Sequence, residues 1–235
     1  MLKQILRTAI IAGSAASLIL SAGVFLKLEP LIRAGETFEA AEAAEHAHHD
    51  AAAGGHAHAA AEDEGPTGAR RVAFTLLANL IAGVGFALVL TAAIAWRGRL
   101  NGPQQGVLWG CAGFAVFALA PALGLPPELP GMTAADLGAR QIWWAATAAL
   151  TAGGLALLVF RRGWLLKALG AALLLAPHLY GAPHIDAHDA VPPDLAAAFV
   201  AGSLAMNAVF WIVLGGLIGV LLPAAALARD DAVTV

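Results

Sequence analysis

Apolar residues run in six long stretches separated by short polar connections. They lie roughly at Ile5–Leu28, Val72–Trp96, Gly106–Leu125, Ile142–Phe160, Trp164–Tyr180 and Asp194–Leu222. At about 1.5 Å rise per residue, each is long enough, or nearly so, to cross a hydrocarbon core of about 30 Å as a helix. Helices are the expected spanning form, because an open sheet edge in hydrocarbon leaves backbone groups unpaired. No alternating ten-residue pattern points to a barrel instead. The pattern therefore predicts an all-α fold, a polytopic membrane helix bundle of about six transmembrane helices, with residues 1–235 forming a single membrane domain. Small residues recur every four positions at Gly13, Ser17 and Ser21, at Gly106 and Gly110, and at Gly215 and Gly219. That spacing places them on one face, where close helix packing needs them.

Composition agrees with lipid as the solvent. Of the 235 residues, 60% are apolar and 12% charged, and the mean hydropathy is +0.76. One soluble core of this size could not hide so much apolar surface. A net charge of −3 argues against nucleic acid as a partner. The single cysteine excludes an internal disulfide.

Basic residues set the expected direction. With the N-terminus inside, Lys3, Arg7, Arg97, Arg99, Arg161, Arg162, Lys167 and Arg229 fall on the cytoplasmic side. Lys27, Arg33, Arg70, Arg71 and Arg140 fall opposite. The short connections at Arg97–Arg99 and Arg161–Arg162 carry the decision, and both favour N-in and C-in. Lys3 and Arg7 before an apolar run resemble the start of a signal peptide. The run continues to Glu29-Pro30, beyond a usual signal core, so an uncleaved anchor is expected.

Three connections then lie on the non-cytoplasmic face. The first, 35–68, is rich in Ala, His and Glu and holds 8 of the chain's 16 acidic residues. Its start is Ala/Glu-rich and is expected to extend the first helix. On a helix, Glu42, Glu45, His46 and His49 share a face. His48, His56 and His58 complete the tract. Carboxylates beside imidazoles suit a borderline divalent ion such as Co²⁺, Ni²⁺ or Zn²⁺. The second connection, 121–141, contains Pro121-Ala-Leu-Gly-Leu-Pro-Pro-Glu-Leu-Pro-Gly131, in which Glu128 sits among helix-breaking residues. Interrupted backbone at membrane depth often marks transporter binding sites. Arg140 is expected to pair with Glu128 or Asp136, and Trp143-Trp144 to sit in an interfacial belt. The third, 181–193, follows Pro177-His178 and carries His184, Asp186 and His188. An ionisable group at the end of an apolar span is a site candidate by default. All eight histidines thus share one face, and the opposite face carries no phosphate-binding loop.

Inside the spans, Asn79 and Asn207 could bond across helices or line an ion path, and Glu29 closes the first span near its outer boundary. No Asp, Glu, Lys or Arg sits at the centre of a span. Transport would then be passive or energised by partner subunits.

Several segments together resemble the predicted cobalt transporter subunit family, CbtA-type. They are Glu29-Pro-Leu-Ile32 with Glu36 and Glu39, Trp109-Gly with Phe114, the Pro121–Gly131 run, Arg140-Gln-x-Trp-Trp144, and Pro177-His178 with Gly181-Ala-Pro-His184. The resemblance covers nearly the whole chain. It implies a multi-span membrane protein associated with cobalt supply for cobalamin synthesis, and a small single-span, His-containing CbtB-type partner. It brings no ligand map.

The expected function is that of a divalent-metal uptake subunit in a bacterial inner membrane, with the metal as cargo, no cofactor, no catalytic residues and the lipid bilayer as surroundings. Co²⁺ is the favoured cargo, and Ni²⁺ or Zn²⁺ are alternatives. His178, His184, Asp186 and His188 would form the mouth, the 35–68 histidines and glutamates would capture the ion, and Glu29, Glu128, Asn79 and Asn207 would be candidates along the path. The rival is a membrane metal-binding or sensor protein that loads a partner without transporting. A homo-oligomer is left open. A thiol introduced into residues 35–68 should react with a membrane-impermeant reagent in intact spheroplasts. Reaction only after membrane rupture would place the tract in the cytosol and reverse the direction.

Overall fold

The computed structural model describes residues 2–52, 68–98, 100–185 and 190–222, with the backbone alone for 45–52. Among these residues the regular structure is entirely helical. The first helix begins as α1 (Leu2–Gly23), widens through a π-helical turn at Val24–Leu28, and continues as α2 (Glu29–Ala52). Then follow α3 (Gly68–Arg97) and α4 (Pro103–Phe114). A second π turn at Ala115–Leu119 carries α4 into a last short turn, Ala120–Ala122. The remaining helices are α5 (Leu137–Phe160), α6 (Trp164–Tyr180) and α7 (Pro193–Leu221).

Five stretches are long and apolar enough to cross a membrane: Leu2–Ala44, Gly68–Arg97, Pro103–Ala122, Leu137–Phe160 and Pro193–Leu221. α6 is a sixth apolar helix of 17 residues, or about 25 Å, at the lower limit for a span. The expected bundle of about six helices is thus present. α1 and α7 share a hollow lined by Lys3, Arg7 and Leu221, so the chain starts and leaves the bundle at one end. That end is the terminal face, and the opposite end is the loop face.

α7 runs between α1 and α4, α3 lies along α1, and α5 with α6 forms a pair that joins the rest through the π turn of α4. The spacing of small residues explains the neighbours. A Cβ added at Gly13 would stand 2.8 Å from the Gly83 carbonyl oxygen of α3. Gly106 and Gly110 of α4 face Gly215 and Gly219 of α7 so closely that any side chain there would strike backbone. Without a hydrophobic drive between helices in lipid, such backbone approach is what holds them together. The repeats at Gly106/Gly110 and Gly215/Gly219 are each other's partners.

Polar atoms inside the bundle reinforce one seam. Ser17 Oγ donates to the Asn79 carbonyl oxygen at 2.9 Å, and Asn79 Nδ2 donates to Ser21 Oγ at 3.0 Å. Asn79 is therefore a clasp between α1 and α3. Asn207 Nδ2 donates within its own helix to the Ser203 carbonyl at 3.1 Å. Aromatic rings fill the centre. Phe117 stacks on Trp211 at 5.6 Å between centroids, Phe86 tilts against both, and Trp144 reaches Phe117 at 6.2 Å. This cluster joins α3, α4, α5 and α7.

Overpacking a tight crossing costs about 1–3 kcal/mol or more. Gly215→Val should therefore lower the melting temperature in detergent markedly. Gly216→Ala, whose Cβ would meet Val107 at an ordinary 3.5 Å, should melt like the wild type. Equal melting of the two variants would refute the crossing.

Candidate functional site

The loop face is built on the projecting part of the first helix. From Leu2 to Ala52 that helix is roughly 75 Å long at 1.5 Å per residue, while a bilayer core takes about 30 Å. The Pro/Gly-rich connection after α4 leans on it. A Cβ at Gly35 would meet the Pro130 carbonyl oxygen at 3.0 Å. Gly131, with φ +81°, lies against the backbone of Glu39 and the side chain of Val191. A side chain at Gly131 would be strained by that dihedral and crowded by the helix. Leu129 and Val191 are buried beneath this contact, and Leu129 N–H donates to Met132 Sδ at 3.3 Å. The connection is a packed cap over the bundle.

Arginines hold the carboxylates of this cap. Arg71 of α3 pairs with Glu29 at 3.4 Å and Glu36 at 2.7 Å, and Arg33 pairs with Glu29 at 3.0 Å. Arg140 pairs with Glu128. Asp136 instead caps α5, accepting from the Ala139 N–H at 2.8 Å, which satisfies one of the orphan donors of that helix end. Of the two partners expected for Arg140, the structure selects Glu128. Both Glu29 and Glu128 are thus engaged with guanidinium groups, and a cation reaching either must compete with an arginine.

His178 lies in the last turn of α6, after Pro177, and its ring meets the Trp143 ring edge-on at 6.0 Å. Trp143 was expected in an interfacial belt with Trp144. It is buried instead, at 5% exposure. Gly124 makes this possible, since a Cβ there would occupy the place of the Trp143 ring. His184 is exposed beyond the end of α6, with Nδ1 3.2 Å from the Ala182 carbonyl oxygen. When Nδ1–H donates to that oxygen, Nε2 keeps the lone pair that a metal needs.

Glu42 is exposed on α2. The side chains of Glu45, His46, His48 and His49 lie outside the description, although their backbone is helical, as expected. His56, His58, Asp186 and His188 also lie outside the described residues. Among the described residues, no three His, Cys, Asp or Glu side chains are grouped to hold a metal ion. The structure brings His178 to Trp143 and Glu29 to Arg71, but it assembles no complete ligand set from the described side chains.

Sequence reading overlooked three residues. Trp143 Nε1, Thr147 Oγ1 and Thr151 Oγ1 are buried without a hydrogen-bond partner among the described residues. Their spacing of four along α5 is visible in the sequence and puts them on one side of the helix. Arg71 was also overlooked as the partner of Glu29, because that pairing joins distant parts of the chain.

A family model described as "Probable cobalt transporter subunit (CbtA)" matches residues 2–223. No curated protein and no solved structure matches the chain.

Each member of the Glu128–Arg140 pair is about a quarter exposed, so solvent screening limits its worth. Arg140→Gln or Glu128→Gln should each cost about 1 kcal/mol, and the double variant should cost less than the sum. Additive losses in detergent melting would show that the pair does not hold the cap.

Proposed function

The chain belongs to the CbtA family of probable cobalt transporter subunits, and from that membership we propose that it takes up Co²⁺ from the periplasmic side of a bacterial inner membrane. The family match across residues 2–223 carries the reading. Its support in the fold is a multi-span helix bundle whose loop face gathers Glu29, Glu36, Glu128, His178 and His184.

The ion first meets the acidic, histidine-bearing segment beyond the membrane, with Glu42, Glu45, His46, His48, His49, His56 and His58 as its ligands. It then passes to His178, His184, Asp186 and His188. Co²⁺ accepts mixed nitrogen and oxygen ligands, and weak successive sites let it move on. Glu29 and Glu128 draw the cation toward the bundle, and exchange with Arg71 or Arg140 makes each contact transient. The membrane potential favours inward movement by about 2.3 kcal/mol per charge per 100 mV.

The family is one of subunits, so a partner completes the transporter. We assign that role to a small single-span, histidine-containing CbtB-type chain. Ni²⁺ and Zn²⁺ satisfy the same ligand chemistry and compete for the route. The rival reading, a metal-binding or sensor protein that loads a partner, draws on the lack of a grouped three-ligand set among the described residues. Accumulation in vesicles separates the two.

Proteoliposomes holding the chain, with and without the partner, should accumulate radioactive cobalt down an imposed potential. Replacing His178, His184 and His188 together by alanine should lower the initial rate by roughly tenfold. Unchanged uptake in the triple variant overturns the mouth assignment. Binding without accumulation by wild-type protein favours the sensor reading.

A further inference from the structure

Four buried polar atoms lack a hydrogen-bond partner among the described residues, and three of them lie on α5: Trp143 Nε1, Thr147 Oγ1 and Thr151 Oγ1. The fourth, Thr91 Oγ1, is on α3. Thr147 is 0% exposed, Thr151 2% and Trp143 5%. A buried donor or acceptor left unsatisfied costs about 1–3 kcal/mol, and a buried indole N–H ordinarily finds a partner. Three such groups on one helix face call for a common explanation.

Their arrangement is regular. Successive groups are four residues apart, so they rise about 6 Å per step and drift through an arc of about 80°. α5 is flanked by α6 and by the π turn of α4. Trp143 meets His178 of α6, and the adjacent Trp144 meets Phe117 of the π turn. Thr147 and Thr151 fall within the arc between these two contacts. A step of about 6 Å is the span of one water making two hydrogen bonds of about 2.8 Å. A chain of waters along this face would satisfy each group in turn.

The file of polar groups has a defined top and bottom. At the loop face it opens beside His178, Gly124 and Ala182, the groups that surround Trp143. Below Thr151, α5 and α6 meet backbone to backbone. A Cβ on Gly154 would stand 2.7 Å from the Gly170 carbonyl oxygen, and one on Gly170 would stand 2.9 Å from that of Gly154. From Trp143 to Gly154 is about 16 Å, half of a core of about 30 Å. The π turn of α4 stands at its side, and such turns often mark functional sites.

We propose that this face of α5 lines a water-filled half-channel that leads a hydrated divalent cation from His178 to the middle of the membrane, where the Gly154–Gly170 crossing closes it. The hydroxyls offer neutral oxygen contacts, which hold a hydrated cation weakly enough to release it. No charged side chain is needed along this stretch, in keeping with spans whose centres carry none. The inference rests on the uptake reading only for what moves. The hydration stands or falls by itself.

The test uses the full chain with Cys111→Ala in spheroplasts. Thr147→Cys and Thr151→Cys should react with a small water-soluble, impermeant thiol reagent at least about tenfold faster than Ala148→Cys, because a thiol reacts only where water lets it ionise. Ala148 is buried on the same helix. Added Co²⁺ should slow both reactions. Hydroxyl-radical footprinting of the unaltered chain should likewise modify Trp143 faster than Trp211, which is 1% exposed. Reaction rates matching Ala148→Cys, or a Trp143 as protected as Trp211, overturn the half-channel. Fast labelling indifferent to Co²⁺ overturns its role as the cargo route. Hydration with no cobalt accumulation by wild-type vesicles refutes the uptake reading and leaves the half-channel standing.

Discussion

Backbone-to-backbone contact at glycine is the interaction on which this bundle depends. In hydrocarbon there is little gain in hiding one apolar side chain against another, so helices stay together only where they approach closely enough for dispersion and dipolar contacts to add up. Three crossings meet that condition. Gly13 meets Gly83, Gly106 and Gly110 meet Gly215 and Gly219, and Gly154 meets Gly170. The first two order α3, α1, α7 and α4 into one packed group. The third joins α5 to α6, and that pair touches the rest chiefly through the wide turn of α4. The molecule thus has a tightly crossed group and a more loosely attached pair.

The two ends of the bundle are finished differently. At the loop face, arginines from α2, α3 and α5 neutralise the glutamates that surround the projecting helix. Glu29 and Glu36 are seven residues apart, two turns of one helix, so a single guanidinium can reach both. At the terminal face, Arg97 lies over the Phe160 ring at 5.1 Å and Trp109 meets the same ring at 5.9 Å. Carboxylates and imidazoles concentrate on the loop face and basic side chains on the other. That asymmetry is what a cation would encounter in crossing.

Much of the architecture was legible in the sequence because lipid imposes simple rules. Run length marked each span, and the four-residue repeats of small side chains marked the crossings. The Ala/Glu composition after Pro30 foretold a helix carried on to Ala52. Contacts between distant segments were harder to read. Trp143 looks like an interfacial anchor until Gly124 is found facing it from another connection, leaving room for the ring. Glu29 looks like a bare carboxylate until Arg71 arrives from α3. Threonine escapes notice for another reason. In a span it usually bonds back to its own helix, so its position on α5 becomes informative only once its hydroxyl is seen to be buried without a partner.

The first helix has a mechanical consequence. Because α2 continues α1 through a widened turn, the backbone that carries Glu42 and His46 is a rod seated in the packed group, not a tether. Its metal-binding positions therefore stand at a set height and azimuth above the bundle. The local ligand concentration at the mouth is fixed by rigid geometry instead of by the statistics of a flexible linker.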